Sequence, residues 1–429
     1  MKRLDTRDPQ FGPQFDALLD TARDTTARVD GPVAEIIARV RAEGDAALLD
    51  LTARFDRWTP AGIGALRVGA AEVAEAKARC RPELLAALDV AAERIERFHA
   101  AQMPQDMVLP EDGLMLGMRW NAVDAAGLYV PGGKAAYPSS VLMNALPARV
   151  AGVGRVVMTV PTPDGEIPPL VLAAADRAGV TEVWRIGGAQ AIAALAWGTA
   201  SIRPVDKIVG PGNAYVAEAK RQVFGRVGID SIAGPSEVVV LADAAQDPRR
   251  VAIDLLAQAE HDEAAQAILI TDSGAMAEAA AAAVEEALRS LPREAIARAS
   301  WEAHGAILLV RDWEEGVALC DRLAPEHLEL LVEKPEALFA RIRHAGAAFL
   351  GGWCPEALGD YVAGPNHVLP TGRTARFASG LSVYDFLKRT TWVSATEAGL
   401  HRIGPAAVTL AEAEGLGAHA RSIAMRLGQ

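Results

Sequence analysis

RVVMTVPTPDGEIPPLVLAAADRAGVTEVWRIGGAQAIAALAW, residues 155–197, sets the rhythm of this chain. Residues 155–160 and 182–186 are short apolar runs of strand length, while residues 170–178 and 189–197 carry apolar side chains at helical spacing. Two strands joined by a helix form a parallel pair, because the crossover returns the chain to the same end of the sheet. The same alternation extends outward on both sides. It begins with a strand at 126–130 and continues through strands at 206–209, 237–241, 267–271, 306–310, 328–331 and 347–350. Helices are expected at 141–150, 214–224, 248–260, 275–289, 313–322 and 335–344. This pattern predicts an α/β protein with two successive open parallel sheets, each with helices on both faces. Residues 33–55 and 84–99 show one apolar side at helical spacing, and residues 411–427 read as a short helical tail. The expected divisions are a helical segment at 1–105, two α/β domains at 106–235 and 236–375, and a C-terminal piece at 376–429.

Composition removes several classes of function. Of 429 residues, 51% are hydrophobic and 23% charged, which is ordinary for a globular protein. Lys and Arg number 43 against 55 Asp and Glu, and 43 − 55 gives a net charge of −12. Such a surface repels a phosphate backbone, so nucleic acid is not an expected partner. No stretch approaches the roughly 18 uncharged apolar residues of a membrane helix. The start of the chain, Met1-Lys2-Arg3-Leu4-Asp5, mixes charges and lacks the apolar segment of a secretory leader. Cys80, Cys320 and Cys354 are widely spaced and form no CxxC pair. Reduced thiols and a cytoplasmic setting are therefore expected.

Open α/β sheets bind ligands beyond the C-terminal ends of their strands. Three glycine-bearing loops lie there: Tyr129-Val130-Pro131-Gly132-Gly133-Lys134, Gly187-Gly188-Ala189-Gln190 and Gly210-Pro211-Gly212-Asn213. The last two open into helices, whose free amides and positive ends can hold a pyrophosphate. The GxGxxG fingerprint is missing, however, and glycines also serve as plain turn and cap residues. The residues alone leave a dinucleotide and no ligand both open.

Four further groups can carry chemistry. Asp247-Pro248 reads as an N-cap followed by proline in the first turn. The helix that follows puts Gln258 and His261 on one face near its end, either as half of a metal site or as an ordinary helix terminus. Glu326-His327 precedes an apolar strand and offers two acid/base groups aimed differently, or a surface acid beside a half-buried imidazole. The segment from Gly359 to His367 gathers Asp360, Tyr361, Asn366 and His367 in a Gly-Pro-rich loop after a strand. Glu412, Glu414 and His419 lie around Gly415 and Gly417 in the tail, where chance surface placement is the simplest reading.

Taken together, these segments resemble the histidinol dehydrogenase family. The resemblance is carried by Ile229-Asp230-Ser231-Ile232-Ala233-Gly234-Pro235-Ser236-Glu237 leading to Gln258-Ala259-Glu260-His261-Asp262. It extends to the three glycine loops, Pro325-Glu326-His327, residues 359–372, and Glu414-Gly415-Leu416 with His419, so it spans essentially the whole chain. It implies two incomplete Rossmann-like domains plus small helical N- and C-terminal pieces, in an intertwined homodimer. It also implies NAD-dependent four-electron oxidation of L-histidinol, through the aldehyde, to L-histidine at one zinc-containing site per subunit.

By the same resemblance, Gln258, His261, Asp360 and His419 would hold zinc. His327 would act as general base, and Glu326 would activate water for the aldehyde step. Ser236, His367 and Glu414 would position substrate, together with His327 and the zinc ligands. Tyr129, Gln190 and Asn213 would contact NAD. The tail carrying Glu414 and His419 would complete the active site of the neighbouring subunit. None of the three cysteines maps to a nucleophile.

The alternative within the family is a paralogue that oxidises a sulfonated or other small diol. No extra arginine stands near Glu414 or His367 to hold a sulfonate. A zinc hydrolase built on Glu326 would leave Gln190 and Asn213 without a role.

Overall fold

The computed structural model of the chain describes residues 1–20, 29–132, 137–232 and 234–428. Two compact units emerge, one of residues 1–101 with 124–386, the other of 102–123 with 387–429.

The first unit contains both parallel sheets. In the N-terminal sheet, Ala125–Tyr129 lies between Arg155–Thr159 and Lys207–Val209, with Glu182–Trp184 and Gly228–Ile229 at the edges. In the second, Glu237–Ala242 lies between Gln266–Thr271 and His327–Leu331. Ala306–Leu309 and Ala347–Leu350 are added outside them. Among these five strands of each sheet, the first in chain order is central, the next two extend to one side and the last two to the other. The order therefore reverses beside the first strand, which creates a crevice at the strand ends.

Central strands covered on both faces read as continuous apolar runs. Val238 and Val240 pack into a core with Leu255, Leu256 and Val284, while Val239 and Leu241 face the opposite core with Phe15, Leu308 and Val317. This two-residue alternation is the pleat itself. The polar members of such strands are the exceptions: Glu237, His327 and Glu329 are buried as well.

Three features go beyond the periodicity. Lys2–Asp5, inside the stretch read as helical, pairs in parallel with Ala306–Leu309 and extends the second sheet by one strand. The helix expected over 33–55 divides at Gly44, whose φ of +58° suits glycine, into Asp30–Glu43 and Asp45–Phe55. The C-terminal piece is helical at Glu397–Ala413 and Gly417–Ala424 but also carries the nine-residue strand Leu387–Ala395. That strand pairs antiparallel with Leu114–Ala122, which pairs in turn with Met107–Glu111, and this three-stranded sheet belongs to the second unit. No helix among the described residues is long and apolar enough to cross a membrane.

Candidate active site

A helix that follows a parallel strand runs back along the sheet, so its C-terminus lies at the amino ends of the strands. Helix Pro248–Ala259 does this, capped at its start by Asp247, whose carboxylate accepts from the Arg249 amide at 2.9 Å. Gln258 sits in its last turn, fully buried, and His261 follows two residues beyond its end. The site is thus built at the amino edge of the second sheet, opposite to the edge where the glycine loops directed attention. Ser236, Glu237, Glu326 and His327 stand at the starts of two adjacent strands, Glu237–Ala242 and His327–Leu331.

His327 is the centre of this group. Its Nδ1 lies 3.1 Å from the Glu237 carbonyl, 3.1 Å from Gln258 Oε1 and 3.3 Å from Glu356 Oε1. Three oxygen acceptors around one ring nitrogen place the proton on Nδ1. The lone pair is then on Nε2, which is buried with no hydrogen-bond partner among the described residues and lies 4.0 Å from Asp360 Oδ1. Burial pushes the ring pKa down to about 4, against the pull of Asp360 and the Glu237 carbonyl, so the imidazole is neutral at pH 7.

Glu326 is equally enclosed. Its Oε2 accepts from the Glu237 amide at 2.9 Å and its carboxyl also bonds the Ser236 side chain, yet burial holds its pKa well above the usual range. Glu237 is raised to about 7 by burial, partly offset by the Gly372 amide that its Oε1 accepts at 3.2 Å.

Gln258 Nε2 lies 2.9 Å from His261 Nδ1, so the amide links the two histidines. Asp360 and His367 arrive together. Asp360 is on the short helix Glu356–Tyr361 rather than in an open loop. His367 Nδ1 donates to the Asp360 carbonyl at 2.9 Å, and its Nε2 lies 3.3 Å from Ser140 Oγ. The loop between them is fixed from outside. Arg94 donates to the carbonyls of Val362 and Ala363, and the Asn366 amide donates to the Met143 carbonyl at 2.6 Å.

The donor set suits a borderline cation: imidazole, carboxylate and amide oxygen, all known zinc ligands or close relatives of them. The end of helix Pro248–Ala259 adds the negative pole of its dipole beside His261. The atoms that His327, Glu356 and Asp360 offer lie within 4.8 Å of one another. Glu414 and His419 belong to the second unit, where both are exposed around Gly415, whose φ is +74°.

Glu356 was not foreseen from sequence. It is buried, burial and neighbouring carboxylates hold it well above its ordinary pKa, and its Oε2 has no hydrogen-bond partner among the described residues. In sequence, an acid after Pro355 at a helix start is an ordinary capping pattern. Burial pushes the Cys320 thiol up, which agrees with its having no nucleophilic role.

The glycine loops lie at the carboxyl edge of the first sheet. Tyr129 ends the central strand, buried, its hydroxyl accepting from the Gly188 amide at 3.1 Å, and burial pushes its pKa up to about 12. Gln190 is buried in the first turn of helix Gly188–Trp197. Asn213, exposed, caps helix Ala214–Val223 by accepting from the Val216 amide at 3.2 Å. All three stand at the crevice where the strand order reverses, and the two helix N-termini there fit a pyrophosphate. Gly133, Lys134 and Ala233, in the motifs quoted above, lie outside the described residues.

The sequence model of the histidinol dehydrogenase family matches residues 19–427. A histidinol dehydrogenase from Gluconobacter oxydans (strain 621H) is 65% identical over 429 residues, covering 100% of this chain and 99% of that protein. One from Rhodospirillum rubrum is 61% identical with the same coverage. The crystal structure of histidinol dehydrogenase from Elizabethkingia anophelis superposes with a TM-score of 0.95 at 35% identity, covering 100% of this chain and 98% of that one.

Proposed function

The chain belongs to the histidinol dehydrogenase family, and on that premise we propose that it oxidises L-histidinol through the aldehyde to L-histidine, with NAD and zinc, in histidine biosynthesis. One observation carries the mechanism: His327 is a neutral imidazole with Nδ1 committed to oxygen acceptors and a buried Nε2 that has no hydrogen-bond partner among the described residues.

Zinc, when bound, supplies a Lewis acid that holds the substrate's imidazole and amine, and NAD supplies the acceptor for both hydrides. Gln258, His261, Asp360 and His419 are the residues that would hold the metal. Tyr129, Gln190 and Asn213 would hold the nucleotide. Ser236, His367 and Glu414 would orient the substrate, with Glu414 accepting a hydrogen bond from its amine.

In the first oxidation, His327 Nε2 takes the hydroxyl proton as the carbinol carbon gives up its hydride. The imidazolium so formed is stabilised by Asp360 on one side and by Glu356 on the other. Water then adds to the aldehyde carbon, giving one proton to Glu326, while the His327 imidazolium gives its proton to the aldehyde oxygen, so that the hydrate forms. Burial raises the Glu326 pKa, so its ionised form is a stronger base toward water than a solvated carboxylate. His327, returned to its neutral form, takes the hydrate's proton as the second hydride leaves, and the acid forms. We further propose that Glu414 and His419 come from a second copy of the chain in a homodimer.

The test is NADH production by zinc-loaded protein with limiting L-histidinol. Two NADH per histidinol, abolished by chelation, is the expected result. Turnover of a sulfonated diol but not of histidinol would overturn the substrate, and no NADH from either would overturn the dehydrogenase reading.

A further inference from the structure

Asp230, in the motif that leads to Ser236, has no part in the chemistry above, and its surroundings give it another one. It follows the edge strand Gly228–Ile229 and forms an ion pair with Lys220 of helix Ala214–Val223; the two side chains are 5% and 2% exposed. Both reach the same residue. Gly210 donates its amide to Asp230 Oδ2 at 2.8 Å, and its carbonyl accepts from Lys220 Nζ at 3.0 Å. Gly210 opens the loop that runs into Asn213. Its φ is +109°, and a Cβ there would come within 2.2 Å of the Tyr129 carbonyl oxygen. The loop is therefore pressed against the end of the central strand, with its first residue gripped at both polar atoms.

Burying such a pair brings little stability over apolar side chains of the same volume. What it does bring is orientation: Asp230 Oδ2 meets the Gly210 amide and Lys220 Nζ meets the Gly210 carbonyl only with that residue turned this way. We propose that Lys220 and Asp230 are positioning residues that preset the 210–213 loop, with Asn213 and the following helix N-terminus, for the nucleotide. This deepens the NAD assignment made above and rests on it.

Removing either charge alone leaves the other buried and unpaired, so the informative variant is the neutral double substitution Lys220→Met with Asp230→Asn. Its Kd and KM for NAD are expected to rise about tenfold, since loosening a preset site weakens binding. The histidinol KM, the zinc content and kcat at saturating NAD are expected to stay near wild type. A folded double variant with wild-type NAD affinity overturns the proposal, as does an equal rise in both KM values, which marks a general structural role. Hydrogen exchange on the wild type decides the matter if the variant does not fold. Amides of the 210–213 loop are expected to be protected before NAD is added. Free exchange that NAD then suppresses overturns presetting. A wild-type protein that fails to bind NAD at all overturns the nucleotide assignment instead, and exchange at Gly210 then tests the clamp alone.

Discussion

His327 combines two demands that conflict in a solvated imidazole. A base must be unprotonated at neutral pH, and its proton-bearing nitrogen must be held so that the other one faces the substrate. Burial meets the first by pushing the pKa to about 4, and the acceptors around Nδ1 meet the second. His327→Asn is expected to lower kcat by about a thousandfold, within the range for general acid–base groups, with zinc content preserved. Glu326→Gln should slow oxidation of supplied histidinal far more than a single-turnover release of the first hydride. Equal losses in the two steps would remove Glu326 from water activation.

Glu237 carries a pH consequence. Its folded pKa is raised from 4.5 to about 7 by burial, so the neutral acid is the form that folding favours. The stability it contributes is fully present below about pH 4.5 and is lost as pH rises through 7, a difference of about 3 kcal/mol at most. Glu326 and Glu356 shift in the same direction. Glu237→Gln should therefore flatten part of the decline in Tm between pH 5 and pH 8. An unchanged slope would show that Glu237 does not titrate in that window.

At the scale of elements, helix Pro248–Ala259 connects a surface cap to the buried site. Asp247 fixes where it starts, Pro248 occupies its first turn, and the helical rise then delivers Gln258 and His261 to the amino edge of the sheet. Asp247→Ala should cost about 1 kcal/mol of unfolding free energy in denaturant titration, the usual value of an N-cap. The zinc content of the folded protein is expected to persist. Loss of metal at full folding would mean that the cap also sets the helix register. The strands divide their labour by edge: the first sheet presents helix N-termini at its carboxyl edge, and the second presents acids and imidazole at its amino edge. This arrangement suits a pyrophosphate on one side and a cationic substrate with a metal on the other.

For the whole molecule, the exposed elbow between Glu397–Ala413 and Gly417–Ala424 presents Glu414 and His419 away from their own helices' packing. If a second copy receives them, inactive His327→Asn and His419→Asn proteins should complement each other when mixed and allowed to exchange subunits. Half of the dimers are then mixed and each holds one intact site, so about one quarter of wild-type activity is expected for a two-fold dimer. Absence of recovery despite demonstrated subunit exchange would place both residues in the subunit that owns them.

Local sequence settled what depends on neighbours along the chain. The strand–helix alternation yields two parallel sheets, the Asp247-Pro248 pair starts a helix, and Glu326-His327 falls at a strand start because each signal lies within a few residues. The motifs from Ile229 to His419 were sufficient to indicate the family. Tertiary structure decided whatever needs distant segments to meet. Lys2–Asp5 finds Ala306–Leu309 at an open sheet edge, and Leu387–Ala395 finds Leu114–Ala122, because backbone pairing carries no sequence label. Glu356 reaches His327 only when the helix after the last strand folds back across the amino edge, and Lys220 and Asp230 meet over Gly210 only when an edge strand joins the sheet. Periodicity records which face of an element is buried; which polar group it is buried against is settled by packing.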